Sequence, residues 1–288
     1  PPPPPSFQAE DGIRDDLEGL VGSEMCIRDR PMTEPIISVD NVHKSYLMGK
    51  EAVPALRGVS LEIEPGDFVC LMGPSGSGKT TLLNIIGGLD EPSRGHVTVD
   101  GENLVALTEN KLARLRLQKM GFVFQNYNLL ANFTAHENVE SPMVLSRIGR
   151  KERKQRTLSL LEKVGLADRA HHYPGELSGG QQQRVAVARA LANNPPILIG
   201  DEVTGDLDSE SGVAIMRLLA ELNEEGMTIV FVTHDPRMAE FARRLIHIYD
   251  GKLALSGAEG SGVEGLSNGD RSSPQAGGHV FASEGTSA

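Results

Sequence analysis

Gly73-Pro-Ser-Gly-Ser-Gly-Lys-Thr80 lies between an apolar run, Phe68 to Met72, and a helix-like run, Thr81 to Ile86. This order predicts strand, phosphate loop, helix. In that arrangement the glycines bring bare backbone N–H groups against the β- and γ-phosphates of a nucleotide. The positive end of the helix adds its field, and Lys79 neutralises phosphate charge. Thr80 is then placed to ligand Mg²⁺.

The chain around this stretch has 288 residues, enough to bury a core as one compact α/β domain with appendages. Of the net charge of −11, residues 1–30 carry −4 and residues 256–288 carry −3, which leaves −4 for the middle. That balance argues against a nucleic-acid partner. Two cysteines, Cys26 and Cys70, imply no disulfide framework and fit a reducing cytosol. Cys70, in the strand before the phosphate loop, reads as a small buried hydrophobe. No run approaches the roughly 18 apolar residues that cross a bilayer, so no direct membrane insertion is expected and any membrane role passes through a partner chain.

Residues 1–31 open on a proline homopolymer and show no apolar period; GSEMCIRDR and AEDGIRD are similar to translated sequencing-adapter read-through. They read as a disordered leader foreign to the protein, with Met32 as the natural start. From Ile36 the pattern predicts antiparallel strands that turn at Pro65-Gly66, with Tyr46 on the loop between the first two. Residues 108–118 are helix-like, and Met120 to Gln125 is an apolar strand ending on an amide. Thr134 to Arg184 reads as a helical insert, so the helical subdomain spans about 108–185. The basic run Arg150 to Arg156 reads as a solvated helix face, and His171-His172 as loop polarity.

ILIGDE, residues 197–202, is a short apolar strand that ends in two carboxylates, which are costly there unless a cation or water chemistry uses them. A helix follows, then a strand run ending in His234, then a helix over PRMAEFARR, then LIHIYDGKLAL. Buried strands separated by helices predict a parallel sheet whose ligand sits at the strands' carboxyl ends. Gln125, Asp201, Glu202 and His234 all stand at such ends. Residues 256–288, rich in Gly and Ser, read as a disordered tail.

Together with Leu177-Ser-Gly-Gly-Gln-Gln-Gln-Arg184, a Ser-Gly-Gly turn opening a helix, these residues resemble the nucleotide-binding subunit of ATP-binding-cassette transporters. The resemblance covers about Ile36 to Leu255. It implies an α/β P-loop NTPase fold with a RecA-like parallel sheet core, an antiparallel β subdomain and an α-helical insert subdomain, within an ATPase domain over 32–255.

The resemblance further implies ATP and Mg²⁺ as cofactors and a homodimer in which two copies meet head to tail. Gly73, Pro74, Ser75, Gly76, Ser77, Gly78, Lys79, Thr80 and Thr81 would hold the phosphates, and Tyr46 would stack on adenine. Thr80, Gln125 and Asp201 would serve the metal, Glu202 would take the proton from the attacking water or orient it, and His234 would contact the γ-phosphate. Ser178, Gly179, Gly180 and Gln181 would serve the partner copy's ATP, and Asp208 would touch the opposite subunit.

Within the family, the stretches around the phosphate loop and GFVFQNYNLL look like the branch for lipoprotein release, macrolide export and antimicrobial-peptide resistance. That branch implies a separate integral-membrane permease and a cytoplasmic subunit peripheral on the inner face of the membrane. A regulatory ATPase of an envelope or cell-division complex that moves no substrate would carry the same residues, and both readings stand on the sequence. Two departures from the family pattern are Val203, where Pro is usual, and Asp206, where Asn is usual. Val203 is expected to loosen the placement of Glu202, and Asp206 to add negative charge beside a polyanion.

Overall fold

The computed structural model describes residues 34–49 and 51–254; the leader and tail expectations lie outside them. Strands β1 (Ile37–Met48) and β2 (Glu51–Ile63) form a long antiparallel pair, and a turn closed by Asp67 N–H on Glu64 O leads to β3 (Phe68–Met72). After α1 (Lys79–Ile86), β4 (Arg94–Val99) and β5 (Glu102–Asn103) complete a four-stranded sheet of order β2-β1-β4-β5. Tyr46 belongs to β1 rather than to a loop, because the ladder continues through its pairing with Val53.

The chain continues through α2 (Glu109–Lys119), β6 (Met120–Val123), α3 (Ala135–Leu145), α4 (Arg150–Lys163) and α5 (Gly179–Ala190). Then come β7 (Ile197–Asp201), α6 (Ser209–Glu224), β8 (Thr228–Val232), α7 (Pro236–Ala239), β9 (Arg244–Tyr249) and β10 (Lys252–Ala254). A second sheet has the order β10-β9-β3-β8-β7-β6, parallel throughout except for β10. Its central strands β3, β7 and β8 are buried almost from end to end, as continuous apolar runs covered on both faces require. Because they are parallel, the residues after β3, β6, β7 and β8 emerge at one edge.

One apolar core lies between the two sheets and takes Leu82, Leu83, Ile85 and Ile86 from α1. A second covers the opposite face with Val187 of α5 and Ile215, Met216, Leu219 and Leu222 of α6. Each such side chain contributes about 1.5–3 kcal/mol by leaving water. Cys70 lies in this second core, and burial pushes its thiol up to about 12, so it stays protonated and inert.

Two expected elements differ. Within 108–185 the strand β6 joins the parallel sheet beside β7, so the separate helical core starts later and gathers Ala135, Val139, Leu161, Leu177 and Val185. The helix expected over PRMAEFARR is helical only over Pro236–Ala239. Arg243 N–H already bonds Phe68 O there, and the chain must re-enter the sheet as β9. In α4, Arg150, Lys151 and Lys154 are exposed, whereas Arg153 pairs with Glu140 at 2.8 Å. Among the described residues no group of three His, Cys, Asp or Glu side chains is placed to hold a metal, and His172 sits beside Arg169.

Candidate functional site

The phosphate loop leaves β3 and enters α1 through three left-handed glycines, Gly73, Gly76 and Gly78, at φ 151°, 78° and 103°. Two of them are fixed by close approach. A Cβ on Gly73 would lie 2.1 Å from Ile248 O and one on Gly78 2.6 Å from Ala55 O, whereas one on Gly76 would enter open space. Gly78 caps α1 without a side-chain bond, so the first N–H groups of that helix stay open. A cavity of about 430 Å³ lies over them, lined by Ser75, Gly76, Gly78, Lys79, Thr80 and Thr81, by Ala55, and by Glu202 and His234.

Lys79 is buried, and its ammonium donates to the carbonyls of Gly73 at 2.9 Å and Pro74 at 2.8 Å. Among the described residues it has no carboxylate in ion-pair contact. Ser77 Oγ is buried with no hydrogen-bond partner among the described residues. A buried cation satisfied only by carbonyls, an orphan hydroxyl and a row of open N–H groups fit a polyphosphate.

Thr80 Oγ1 donates to Asp201 Oδ1 at 3.2 Å, which brings the loop's hydroxyl to the end of β7. Burial pushes the Asp201 carboxyl above its usual range, with Glu202 adding to the rise while Thr80 and Lys79 oppose it. A hydroxyl and one carboxylate are hard oxygen donors of the kind Mg²⁺ takes beside substrate phosphates, so these residues fit that ion.

Glu202 follows at φ 45°, an uncommon left-handed setting for its type. Its N–H still bonds Val232 O at 3.1 Å, while its carbonyl accepts from Gly205 N–H at 2.9 Å, so the strand ends in a tight turn at this residue. The carboxylate lies 3.3 Å from His234 Nδ1.

The two departures have visible neighbours. Val203 is 2% exposed and shares the core with Leu198, Phe231 and Ile215, which ties the Glu202 turn to that core. Asp206 accepts from Gln125 Nε2 at 3.2 Å, and its charge is thereby engaged with the amide expected at the metal. Gln125 and Glu202 converge all the same: a Cβ on Gly205 would lie 3.2 Å from Gln125 Nε2 and 3.3 Å from Glu202 Oε2.

Tyr46 donates to Asp90 Oδ2 at 2.7 Å, and its ring carries the Lys44 ammonium 5.0 Å from the centroid. Burial pushes Asp90 up, but Lys44, Tyr46 and the Glu91 N–H together outweigh it and hold the carboxyl below its usual range. Ser178 and Gln181 do not line the cavity. They close a capping box on α5, with Ser178 N–H on Gln181 Oε1 at 3.0 Å and Gln181 N–H on Ser178 Oγ at 3.3 Å. Gly179 and Gly180 pack against Tyr127 and Ser211, where a Cβ would lie 2.8 Å from the Tyr127 hydroxyl and 2.9 Å from Ser211 Oγ. Asp208 caps α6 through Ser211 N–H at 2.9 Å.

Sequence reasoning missed Gln183. It is wholly buried, and its Nε2 donates at 2.7 Å to Val203 O, tying α5 to the Glu202 turn. An amide on the apolar side of a helix was the one available signal, and it lay hidden in a run of three glutamines.

The ABC transporter family profile matches residues 56–205. An ABC transporter ATP-binding protein of Bacillus subtilis (strain 168), YvrO, is 48% identical over 220 residues, covering 76% of this chain and 96% of the relative. The macrolide export ATP-binding/permease protein MacB of Marinobacter nauticus is 50% identical over 226 residues, 78% of this chain. Longer relatives extend past the match: the chain spans 48% of one and 35% of MacB. A dimeric post-hydrolysis structure of the ATP-binding cassette MJ0796 with ADP and Pi superposes with a TM-score of 0.71 at 49% identity, covering 75% of this chain and 96% of that one. With the phosphate loop, the paired carboxylates and the Ser-Gly-Gly helix on one scaffold, the chain belongs to the ABC transporter family, as one of its ATP-binding ATPase cassettes.

Proposed function

We propose that the chain powers a membrane export or extraction complex by clamping ATP between two copies and hydrolysing it. The observation that carries this reading is the split of the site. The phosphate loop, Glu202 and His234 share one cavity, while the Ser178 turn stands outside it with an exposed hydroxyl. A second copy set head to tail would bring its Ser178, Gly179 and Gly180 N–H groups to the nucleotide's open side. That the cassette MJ0796 was found as a dimer with ADP and Pi supports the arrangement.

Lys79 and the loop's N–H groups would bind the β- and γ-phosphates, and Tyr46 would offer a ring face to the adenine. Glu202 would orient water and accept its proton, held by the turn that Val203 anchors, while His234 would contact the γ-phosphate. Mg²⁺, held by Thr80 and Asp201 with Gln125 beside them, would supply charge neutralisation at the phosphate oxygens.

The permease would dock at a cleft of about 400 Å³ between β6, α2, α3 and α5, walled by Leu117, Phe122, Phe124, Pro142 and Leu145. That cleft includes Asn128 of the Gln125 loop, a direct route from nucleotide to partner. No helix among the described residues is long and apolar enough to cross a membrane, which suits a role exerted through a separate chain.

Glu202→Gln tests the chemistry. It should keep ATP affinity, lose about 10²- to 10⁴-fold in turnover as a removed general base does, and accumulate as an ATP-bound dimer in size-exclusion chromatography. Rapid turnover in that variant would strip Glu202 of its role.

A further inference from the structure

Arg189, in the last turn of α5, is a half-buried cation that holds backbone instead of a carboxylate. Its Nη2 donates to Tyr127 O at 2.8 Å and its Nη1 to Asn128 O, and no ion pair among the described residues includes it. Partial burial without a countercharge holds the guanidinium below the usual arginine range. The two acceptors belong to consecutive residues at φ 57° and 48°, both in the left-handed region that non-glycine residues seldom occupy. A planar fork meets two such carbonyls with separate N–H groups in a fixed geometry, which a lysine's rotating ammonium does not preset.

The same loop meets α5 a second time. The Tyr127 hydroxyl lies against Gly179, the first residue of that helix, so closely that a Cβ there would approach it to 2.8 Å. The segment just after Gln125 is therefore held near both ends of the helix that Ser178 opens. Gln125 itself faces Asp206, beside Glu202.

We infer that Arg189 is a positioning residue that fastens the Gln125 loop to α5, so that the Gln125 amide and the Ser178 turn travel as one rigid arm. This rests on the proposed function, in which Gln125 acts at the chain's own nucleotide and Ser178 at the partner copy's. Displacement of Gln125 at one nucleotide then displaces the Ser178 turn at the other, and the two pockets of the dimer sense each other through a single helix.

The test is Arg189→Lys, with Tyr127→Phe as the milder variant should the first fail to fold. Amide hydrogen exchange is read on the nucleotide-free protein, and ATP-driven dimerisation on the Glu202→Gln background. With the fork gone, exchange over residues 125–131 rises about 10- to 100-fold, as expected for losing bonds to a charged donor, while β3, β7 and β8 stay protected. The ATP concentration for half-maximal dimerisation rises by a similar factor, about 10-fold or more, although ATP affinity of the single chain holds within about 2-fold. Tyr127→Phe, which leaves the Arg189 bonds in place, moves both readouts the same way by a smaller factor.

Unchanged exchange over 125–131 overturns the clamp, and raised exchange with unchanged dimerisation overturns the arm. If the Glu202→Gln parent itself fails to dimerise, the proposed function falls. Exchange at the Ser178 turn in Arg189→Lys then decides the inference alone: a rise there together with 125–131 supports it, and a rise confined to 125–131 overturns it.

Discussion

The phosphate loop and the Ser178 turn are both helix N-termini with glycines and hydroxyls, yet they are built to opposite ends. The first leaves its donors open. Gly78 caps α1 with no side-chain bond, left-handed glycines curl the backbone under a cavity, and a buried Lys79 waits on carbonyls. The second closes on itself through the reciprocal Ser178 and Gln181 bonds, on an exposed surface. One N-terminus is open to a ligand within a single chain; the other has its first donors engaged by its own cap.

The largest break in that comparison is Lys79→Ala. Removing the buried ammonium should weaken ATP binding about 10- to 100-fold, as the loss of a charged hydrogen-bond donor does, measured by calorimetry on the single chain. Unchanged affinity would mean that the open N-terminus is not where the phosphates bind.

The next effect concerns pH. Burial raises the Asp201 carboxyl, so the folded chain takes up this proton at a higher pH than the unfolded chain does. The penalty for burying the charge is fully present above the folded pKa and is relieved as pH falls through it. The charge that would serve Mg²⁺ is lost over the same window. The Mg²⁺ concentration for half-maximal ATPase activity should therefore climb as pH is lowered from neutrality, beginning above the usual carboxylate range. Asp201→Asn should flatten that dependence while leaving the metal-free melting midpoint equal or higher; a lower midpoint would contradict the burial argument.

The smallest effect sharpens the comparison from the other side. Ser178→Ala removes a cap and should cost about 1 kcal/mol of stability, whereas Ser178→Gly should cost only a few tenths. Both should leave single-chain ATP affinity unchanged in calorimetry and reduce turnover to a similar extent. If Ser178→Gly kept full turnover, the hydroxyl would be a cap and nothing more.

Much of the site was legible because its parts are local. The spacing of the phosphate loop, the two acids ending ILIGDE and the Ser-Gly-Gly turn each carry their chemistry within a few residues, and the buried runs of β3, β7 and β8 marked the sheet. Tyr46 was misplaced because its neighbours in sequence resemble a turn, while the ladder that holds it comes from β2. The burial of Val203 beside Leu198, Phe231 and Ile215 was not legible, because those neighbours come from three separate elements, β7, β8 and α6. Arg189 gave no signal and Gln183 only a masked one, since their partners are backbone carbonyls far along the chain.

The chain's own residues determined which groups are candidates for phosphate, metal and water chemistry and which fold carries them, because glycine spacing, hydroxyl placement and apolar period are properties of short segments. Which of those groups meet was decided only by tertiary structure. Thr80 and Asp201, 121 positions apart, touch because the parallel order β3-β8-β7 delivers two strand ends to one edge. Gln125 meets Asp206 because β6 flanks β7. The Ser178 turn is left outside the cavity, so one folded chain presents two unlike helix N-termini at separate places.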